Sequence, residues 1–184
     1  MKPGVRALGV AESFHDDVST LAGVVVRASR VVDGLSFATC TVGGMDVTDA
    51  ISDIYADLGR EDVQYVLVSG IALAWYNVLD MRRLHRDLDR PVLSVTYEES
   101  QGLETAIMEA FSGDERDRRL ETYRSQPGRD PVEVNGEIVY VRAVGVDPSE
   151  ARDVVRAFTP EGGRPEPLRV ARFAARAGDS LRRG

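Results

Sequence analysis

Two acidic side chains stand where the sequence predicts strands to end, and they could hold a divalent metal ion. Glu12 follows the apolar run of the first predicted strand, and Asp46 follows the third. Carboxylates at the ends of adjacent central strands can hold the two ions that stabilise the attacking and leaving oxygens in phosphodiester cleavage. Mg²⁺ prefers carboxylate and water ligands. The pair predicts a catalytic Mg²⁺ or Mn²⁺ site, with a helix cap at Asp46 and a solvated loop acid at Glu12 as the alternative interpretation.

An aromatic pair follows the fourth predicted strand. Trp75 and Tyr76 stand directly before Asn77 in the segment IALAWYNVLDM. Beside a strand-end site, such a pair could stack an unpaired base, a contact worth about 1–3 kcal/mol. Packing in the core is the alternative, and it is the one we favour for Trp75. Tyr76 and Asn77 are the predicted nucleic-acid contacts.

Arginines near the end of the chain could contact phosphate groups. The segment Arg164–Gly184 holds six arginines against two acids. In the closing predicted helix, Arg169, Arg172 and Arg176 fall within one third of the helical wheel, and Arg164 precedes them. Such a stripe can follow a phosphate backbone, so these residues predict contacts with DNA or RNA. The alternative is a solvated helix face that pairs with the acidic remainder of the chain.

The sequence does not contain the residue patterns that other common active sites require. Ser69 has no glycines two positions to either side, so a nucleophile elbow is not indicated. His15 and His85 are the only histidines, and their spacing suits neither a zinc site nor a catalytic triad. Cys40 lies within a predicted strand and is interpreted as a small buried hydrophobic residue.

Composition indicates a globular domain in a reducing compartment. The chain has 184 residues, a net charge of −7, 43% hydrophobic residues and a single cysteine, so we expect a cytoplasmic protein. No apolar run is long enough to span a bilayer, and no membrane partner is predicted. Lys2 is the only lysine, which indicates a salt-adapted organism of the haloarchaeal type. In molar salt the Debye length falls to about 3 Å, so the acidic net charge does not exclude a nucleic-acid partner.

The order of predicted elements favours a ribonuclease H-like α/β fold. A three-strand antiparallel meander is followed by parallel α/β units, giving a mixed sheet with helices on both faces. The opening hairpin, with its turn at Asp33-Gly34, argues against a Rossmann-like sheet, which begins with strand–helix crossovers. The predicted strands are Val5–Val10, Leu21–Val32, Leu35–Val42, Val63–Val68 and Pro91–Thr96, and the predicted helices are 48–58, Val78–Leu88 and Leu103–Phe111.

The remaining chain is predicted to belong to the same domain, 1–184. Residues 113–146 are expected to form a charged loop and a hairpin insertion, with the hairpin turn at Asn135-Gly136. Residues 148–178 are expected to form the C-terminal helices.

Segments along nearly the whole chain resemble one archaeal family. They are RALGVAESF, GVVVRASRVVDGLSFATCTVGGMDVTDAI, YVLVSGIALAWYNVLDM, RPVLSV and GGRPEPLRVARFAARA. Together they are similar to domain of unknown function 99, also known as uncharacterised protein family 0215, whose fold is similar to that of endonuclease V. Members have been linked to cutting DNA at deoxyuridine, and endonuclease V enzymes cut beside deaminated bases using magnesium. The resemblance implies an endonuclease V-like fold and a role in DNA repair.

The chain departs from this family where metal ligands are expected. The family carries Gly-Ile-Asp-Asp on its first strand and Leu-Asp-Gly on its fourth, and this chain has Ala11 and Ser69 at those aspartates. The closing motif of endonuclease V, Pro-Glu-Pro-x-Arg-x-Ala-His, ends here in Arg172. Asp80 and Glu98 are acids that could replace the missing ligands.

Three functions follow from these residues. The first is a metal-dependent endonuclease at deaminated bases, with a degenerate site at Glu12 and Asp46. The second is a catalytically inactive, nuclease-derived module that binds nucleic acid or protein. The third is a small-molecule enzyme with a pocket near Tyr76 and Asn77.

Overall fold

The elements follow the predicted order, with additions in the middle of the chain. The computed structural model describes all residues, 1–184. The strands are β1 (Arg6–His15), β2 (Val18–Arg27), β3 (Val32–Thr41), β4 (Val63–Ser69), β5 (Asn77–Val78), β6 (Val92–Thr96), β7 (Asp130–Val134) and β8 (Glu137–Val144). The helical elements are α1 (Val47–Leu58), α2 (Leu73–Tyr76), α3 (Met81–Leu88), α4 (Glu104–Ala110), α5 (Gly113–Ser125), α6 (Pro148–Ala157) and α7 (Glu166–Arg183).

All strands except the two-residue β5 form one mixed sheet in the order β3-β2-β1-β4-β6-β8-β7. The first three strands pair antiparallel, whereas β1, β4 and β6 run parallel. The meander and the parallel units are therefore confirmed. Because the three parallel strands end at the same edge of the sheet, that edge is where side chains from several segments meet.

Helices cover both faces of the sheet, as predicted. Alternate residues of β1 point to opposite faces, because side chains alternate along a strand. Leu8 and Val10 pack in the core beneath α1 and α3. Ala7 lies in the opposite core with α6 and the start of α7, and Ala11 packs against Ala171 of α7.

Helix α7 lies directly on β1 and follows it toward the carboxyl edge. A Cβ atom on Gly9 would stand 2.4 Å from the backbone of Pro167, so only glycine permits this approach. Further along, Ser13 Oγ lies 3.5 Å from the Asp179 carboxylate. The helix therefore places Arg172 and Arg176, which lie between these two contacts, over the end of β1.

The turn of the first hairpin is not where the sequence predicts it. Asp33 and Gly34 lie inside β3, and the chain reverses between Arg27 and Val32, with Arg30 in a left-handed conformation at φ 70°. Asp33 is instead bonded to guanidinium groups of Arg27 and Arg6, each at 2.6 Å. A paired carboxylate thus occupies the position that the Asp-Gly pattern assigns to a turn.

The segment predicted as a charged loop contains a helix. Helix α5 spans Gly113–Ser125, and its buried residues are Arg119, Leu120 and Tyr123. The following hairpin does turn at Asn135-Gly136, where both residues have positive φ, as a two-residue turn requires. Its strands extend the main sheet, because β8 pairs with β6.

No helix of the chain combines the length and the apolar composition needed to cross a membrane.

Candidate functional site

A cavity of about 280 Å³ lies at the carboxyl ends of β1 and β4. Val10 pairs with Val68 in parallel register, so the next residues, Ala11 and Ser69, face each other across the two strands. Helix α7 closes one side with two arginines. The lining residues are Ala11, Glu12, Ser13, Phe14, Ser69, Arg172 and Arg176.

Glu12 is the single carboxylate of this cavity, and both of its oxygens accept hydrogen bonds. The Ser19 hydroxyl donates to one oxygen at 2.5 Å, and the Ala74 amide donates to the other at 2.9 Å. Glu12 therefore joins the end of β1 to β2 and to the α2 segment. It is not the freely solvated loop acid of the alternative interpretation.

Asp46 belongs to a separate hydrogen-bond network. Its carboxylate accepts from the Thr41 amide at 3.1 Å, from the Thr41 hydroxyl at 2.9 Å and from Asn77 Nδ2 at 2.7 Å. Although burial raises the pKa of Asp46, these hydrogen bonds outweigh it and the pKa is lowered. Asp46 precedes α1, but its side chain caps no amide of that helix, so the interpretation as a side-chain cap is wrong.

Cys40 lies near both acids and is buried. Burial, together with the charges of Asp46 and Glu12, raises the pKa of the thiol to about 12. A thiol that stays protonated is a poor nucleophile and a poor metal ligand. The interpretation of Cys40 as a buried small hydrophobic residue is confirmed.

The side chains at this edge do not fit a Mg²⁺ or Mn²⁺ ion. No three acid, histidine or cysteine side chains gather anywhere in the chain as a metal site would require. Glu12 and Asp46 accept hydrogen bonds in two separate networks, and the guanidinium groups of Arg172 and Arg176 add positive charge beside Glu12. The metal role predicted for the two acids is therefore not supported by their surroundings.

Neither alternative acid completes the site. Asp80 caps α3, accepting a hydrogen bond from the Arg83 amide at 2.9 Å. Glu98 is exposed and lines a different, larger cavity.

The four predicted arginines have different surroundings. Arg172 and Arg176 are exposed and form no salt bridge. Arg169 is paired with Glu166 at 2.6 Å, so its charge is already matched. Arg164 is partly buried, and its guanidinium lies over the ring of Tyr97. Two of the four are thus free to meet a ligand at the strand-end cavity.

In the aromatic segment, Trp75 is exposed to solvent and Asn77 is buried. The Trp75 side chain is 51% exposed, whereas Asn77 is fully buried. Ala74, Trp75 and Tyr76 all have positive φ, a strained conformation for residues with side chains. The core interpretation of Trp75 is wrong, and Asn77 is removed from the candidate interface because it cannot reach a ligand. Tyr76 is half-buried, and its contact with nucleic acid remains a prediction.

Sequence reasoning missed the residue that holds this segment. Arg119 of α5 is buried and donates to the carbonyls of Tyr76, Gly43 and Gly44. Its guanidinium also stacks on the Phe111 ring, 3.8 Å from the ring centre. Because the sequence predicts a charged loop in this part of the chain, the contact of Arg119 with the aromatic segment is not expected from the sequence.

The order and pairing of the strands, with helices on both faces, are those of a ribonuclease H-like fold similar to that of endonuclease V. The Endonuclease dU family matches residues 3–178, and the chain belongs to this family. A protein of uncharacterised protein family 0215 from Methanopyrus kandleri is 33% identical over 182 residues, covering 95% of this chain and 91% of that protein.

Solved structures agree with this fold. A protein of unknown function from Archaeoglobus fulgidus has a TM-score of 0.83 at 26% identity, covering 94% of this chain and 97% of that one. Endonuclease V from Ciona intestinalis, crystallised with a 24mer DNA containing an inosine followed by a ribo-adenosine, has a TM-score of 0.67 at 12% identity. That comparison covers 96% of this chain and 86% of the Ciona chain.

Proposed function

We propose that this protein binds single-stranded nucleic acid at the carboxyl edge of its sheet and does not cleave it by a metal-dependent mechanism. The observation that carries the proposal is the presence of Arg172 and Arg176, free of salt bridges, in the strand-end cavity. A guanidinium group can hold a phosphate through paired hydrogen bonds. It cannot supply the metal-bound water or hydroxide that attacks a phosphodiester.

The aromatic segment adjoins the same cavity. Glu12 lines the cavity and accepts a hydrogen bond from the Ala74 amide, and the exposed Trp75 is the next residue. A phosphate on the arginines would therefore lie near a ring that can stack an unpaired base. This arrangement supports a strand with accessible bases over a closed duplex.

Binding is tested with labelled single-stranded oligonucleotides, with and without deoxyuridine or deoxyinosine, by fluorescence anisotropy in molar KCl. The Arg172→Gln/Arg176→Gln variant is expected to bind at least about tenfold more weakly, because two charge-assisted contacts are lost. The matched control is Arg86→Gln/Arg118→Gln, which removes the same charge from exposed sites without contacts. Equal weakening in both variants would contradict a specific arginine site.

Membership in the Endonuclease dU family supports a second candidate, a metal-dependent endonuclease at deoxyuridine. In this case Glu12 and Asp46 would be the residues that hold Mg²⁺ or Mn²⁺. The same oligonucleotides are incubated with either ion, and Glu12→Gln and Asp46→Asn are run beside the wild type. Cleavage that both substitutions abolish would establish the endonuclease and overturn the proposal, whereas binding without cleavage supports it.

A further inference from the structure

A larger cavity, of about 530 Å³, lies between the ends of β4 and β6 and the loop that precedes α7. Its volume is within the range of small-molecule sites in proteins. Basic and aromatic side chains dominate its polar lining, and they are Arg129, Arg142, Arg164, Arg172, Tyr97 and Tyr123.

The arginines of this cavity have no acidic partners. None of the four takes part in any salt bridge of the chain. Glu98 is the single acid of the lining, and it is exposed. Four cations beside one acid create a positive field that an anion would neutralise.

Two of these guanidinium groups are held in place by neutral groups. Arg142 donates to the Pro127 carbonyl and to the Tyr123 hydroxyl. Arg129 donates to the carbonyl of Glu98 at 3.1 Å and lies over the Tyr140 ring. Carbonyls and rings orient a guanidinium without cancelling its charge, so the charges are fixed before a ligand arrives.

Two buried polar atoms of the cavity have no hydrogen-bond partner. They are Nη1 of Arg164 and the hydroxyl of Tyr97, and they are the only such side-chain atoms in the chain. The Arg164 guanidinium lies 4.0 Å from the centre of the Tyr97 ring. Burial raises the pKa of Tyr97 more than the charge of Arg164 and the nearby Ser69 hydroxyl lower it, so the Tyr97 hydroxyl stays protonated and can donate. A buried donor without an acceptor is costly, and this pair indicates a missing acceptor.

We propose that this cavity binds a phosphate monoester, with Arg164 and Tyr97 donating to its oxygens. A phosphate monoester carries up to two negative charges and three terminal oxygens, which suits several unpaired guanidinium groups. The volume leaves room for an attached nucleoside. The monoester could come from a free nucleotide or from the terminal phosphate of a strand. The site is distinct from the backbone contact proposed above, because the two cavities share only Ser69 and Arg172 of their lining residues.

The first test is calorimetric titration with inorganic phosphate, adenosine monophosphate and adenosine. Phosphate and the monophosphate are expected to bind, and adenosine is not. Arg164→Gln should lower affinity for the monophosphate by at least about tenfold, because a charged donor is lost. Tyr97→Phe, which keeps the ring, should lower it by about fivefold or more. Arg118→Gln is the charge-matched control and should leave affinity unchanged.

The second test identifies the source of the phosphate. Tighter binding of a 5′-phosphorylated oligonucleotide than of its 5′-hydroxyl counterpart, lost in Arg164→Gln, assigns the site to strand ends. If the phosphate increases the affinity of the free nucleotide but not that of the oligonucleotide, the site is assigned to nucleotides. Failure of all phosphate probes, or unchanged affinity in folded Arg164→Gln and Tyr97→Phe proteins, overturns the inference. Binding of the 5′-hydroxyl strand reports separately on the function proposed above.

Discussion

At the scale of single residues, Asn77 at the sheet edge stabilises the fold, although the sequence predicts that it contacts a ligand. The Asn77 carbonyl oxygen accepts from the Val47 amide at 3.1 Å. Its amide nitrogen donates to the Thr41 carbonyl at 2.9 Å and to Asp46 at 2.7 Å. Asn77 thus links the end of β3 to the start of α1 through hydrogen bonds. The sequence alone does not distinguish a buried asparagine of this kind from an exposed one.

Asn77→Ala is expected to lower the free energy of unfolding by about 2–4 kcal/mol, because the buried Val47 amide, the Thr41 carbonyl and the Asp46 carboxylate lose their hydrogen-bond partner. Urea denaturation measures this change. Asn77→Asp is the informative companion, since it places a second carboxylate beside Asp46 and should destabilise most at neutral pH. A variant as stable as the wild type but weak in oligonucleotide binding would instead restore Asn77 to the interface.

Trp75 is the residue whose exposure points to a ligand. Trp75→Ala should weaken single-strand binding by about 1–3 kcal/mol, the range for one base stacked on an aromatic ring. Trp75→Phe keeps a ring and should retain most of the affinity. Anisotropy titrations of both variants check this. Equal affinity of the alanine variant and the wild type would show that the ring contacts no base.

At the scale of elements, α5 explains why the aromatic turn can exist. Arg119 reaches from α5 to the carbonyl of Tyr76 in the turn and to that of Gly43 in the loop between β3 and α1. Desolvation lowers the pKa of this guanidinium, and the nearby charge of Glu115 offsets only part of that effect. Two of the carbonyl groups that it satisfies belong to residues with positive φ, Gly43 and Tyr76.

Arg119→Leu should therefore destabilise the protein by about 2–4 kcal/mol, since the partly buried carbonyls of Tyr76, Gly43 and Gly44 lose their donor. The turn should also loosen. Trp75 is the only tryptophan, so its fluorescence reports on this segment alone. A red-shifted emission with retained secondary structure is expected, and an unchanged spectrum would show that other contacts hold the turn.

These elements also show how far the sequence predicts the fold. Apolar patterns locate β4, β6 and α1 to within a few residues, because their buried faces are apolar. Helix α5 escapes the same reasoning, because Arg119 occupies its buried face. The Asp33-Gly34 turn is misplaced for a related reason, since Asp33 bonds to Arg6 of β1 and to Arg27 of β2. Local sequence patterns predict the burial of apolar residues well, and they predict hydrogen bonds between polar residues of different elements poorly.

The pairing of Asp33 gives the first hairpin a pH dependence. Hydrogen bonds from Arg27 and Arg6 lower the pKa of Asp33 from 3.8 to about 2. A lowered pKa in the folded state means that the stabilisation is complete above 3.8 and is lost as the pH falls through about 2. Asp33→Asn should be less stable than the wild type at neutral pH, and the gap should close across this window.

Thermal melts of both proteins between neutral and acidic pH measure the gap. Asp53→Asn is the control, because Asp53 is exposed and unpaired. A constant gap across the window would show that Asp33 stabilises the hairpin without its charge.

At the scale of the whole molecule, the charge distribution limits how strongly salt can affect binding. The net charge is −7, and the candidate edge offers Arg172 and Arg176 as unpaired cations. Each phosphate contact on a single strand contributes roughly −0.7 to the slope of log affinity against log salt concentration. Two contacts therefore give a slope of about −1.4, and binding of this kind persists in concentrated salt.

Anisotropy titrations of a 5′-hydroxyl strand across a series of KCl concentrations measure this slope. Arg172→Gln should reduce its magnitude by about 0.7, because one phosphate contact is removed. Trp75→Ala should lower the affinity at every concentration and leave the slope unchanged, because stacking releases few counterions. A steep slope that Arg172→Gln does not alter would mean that other basic residues hold the strand. A shallow slope that only Arg172→Gln reduces, with an affinity that Trp75→Ala lowers at every salt concentration, would show that α7 contacts the phosphates and that the aromatic turn stacks a base.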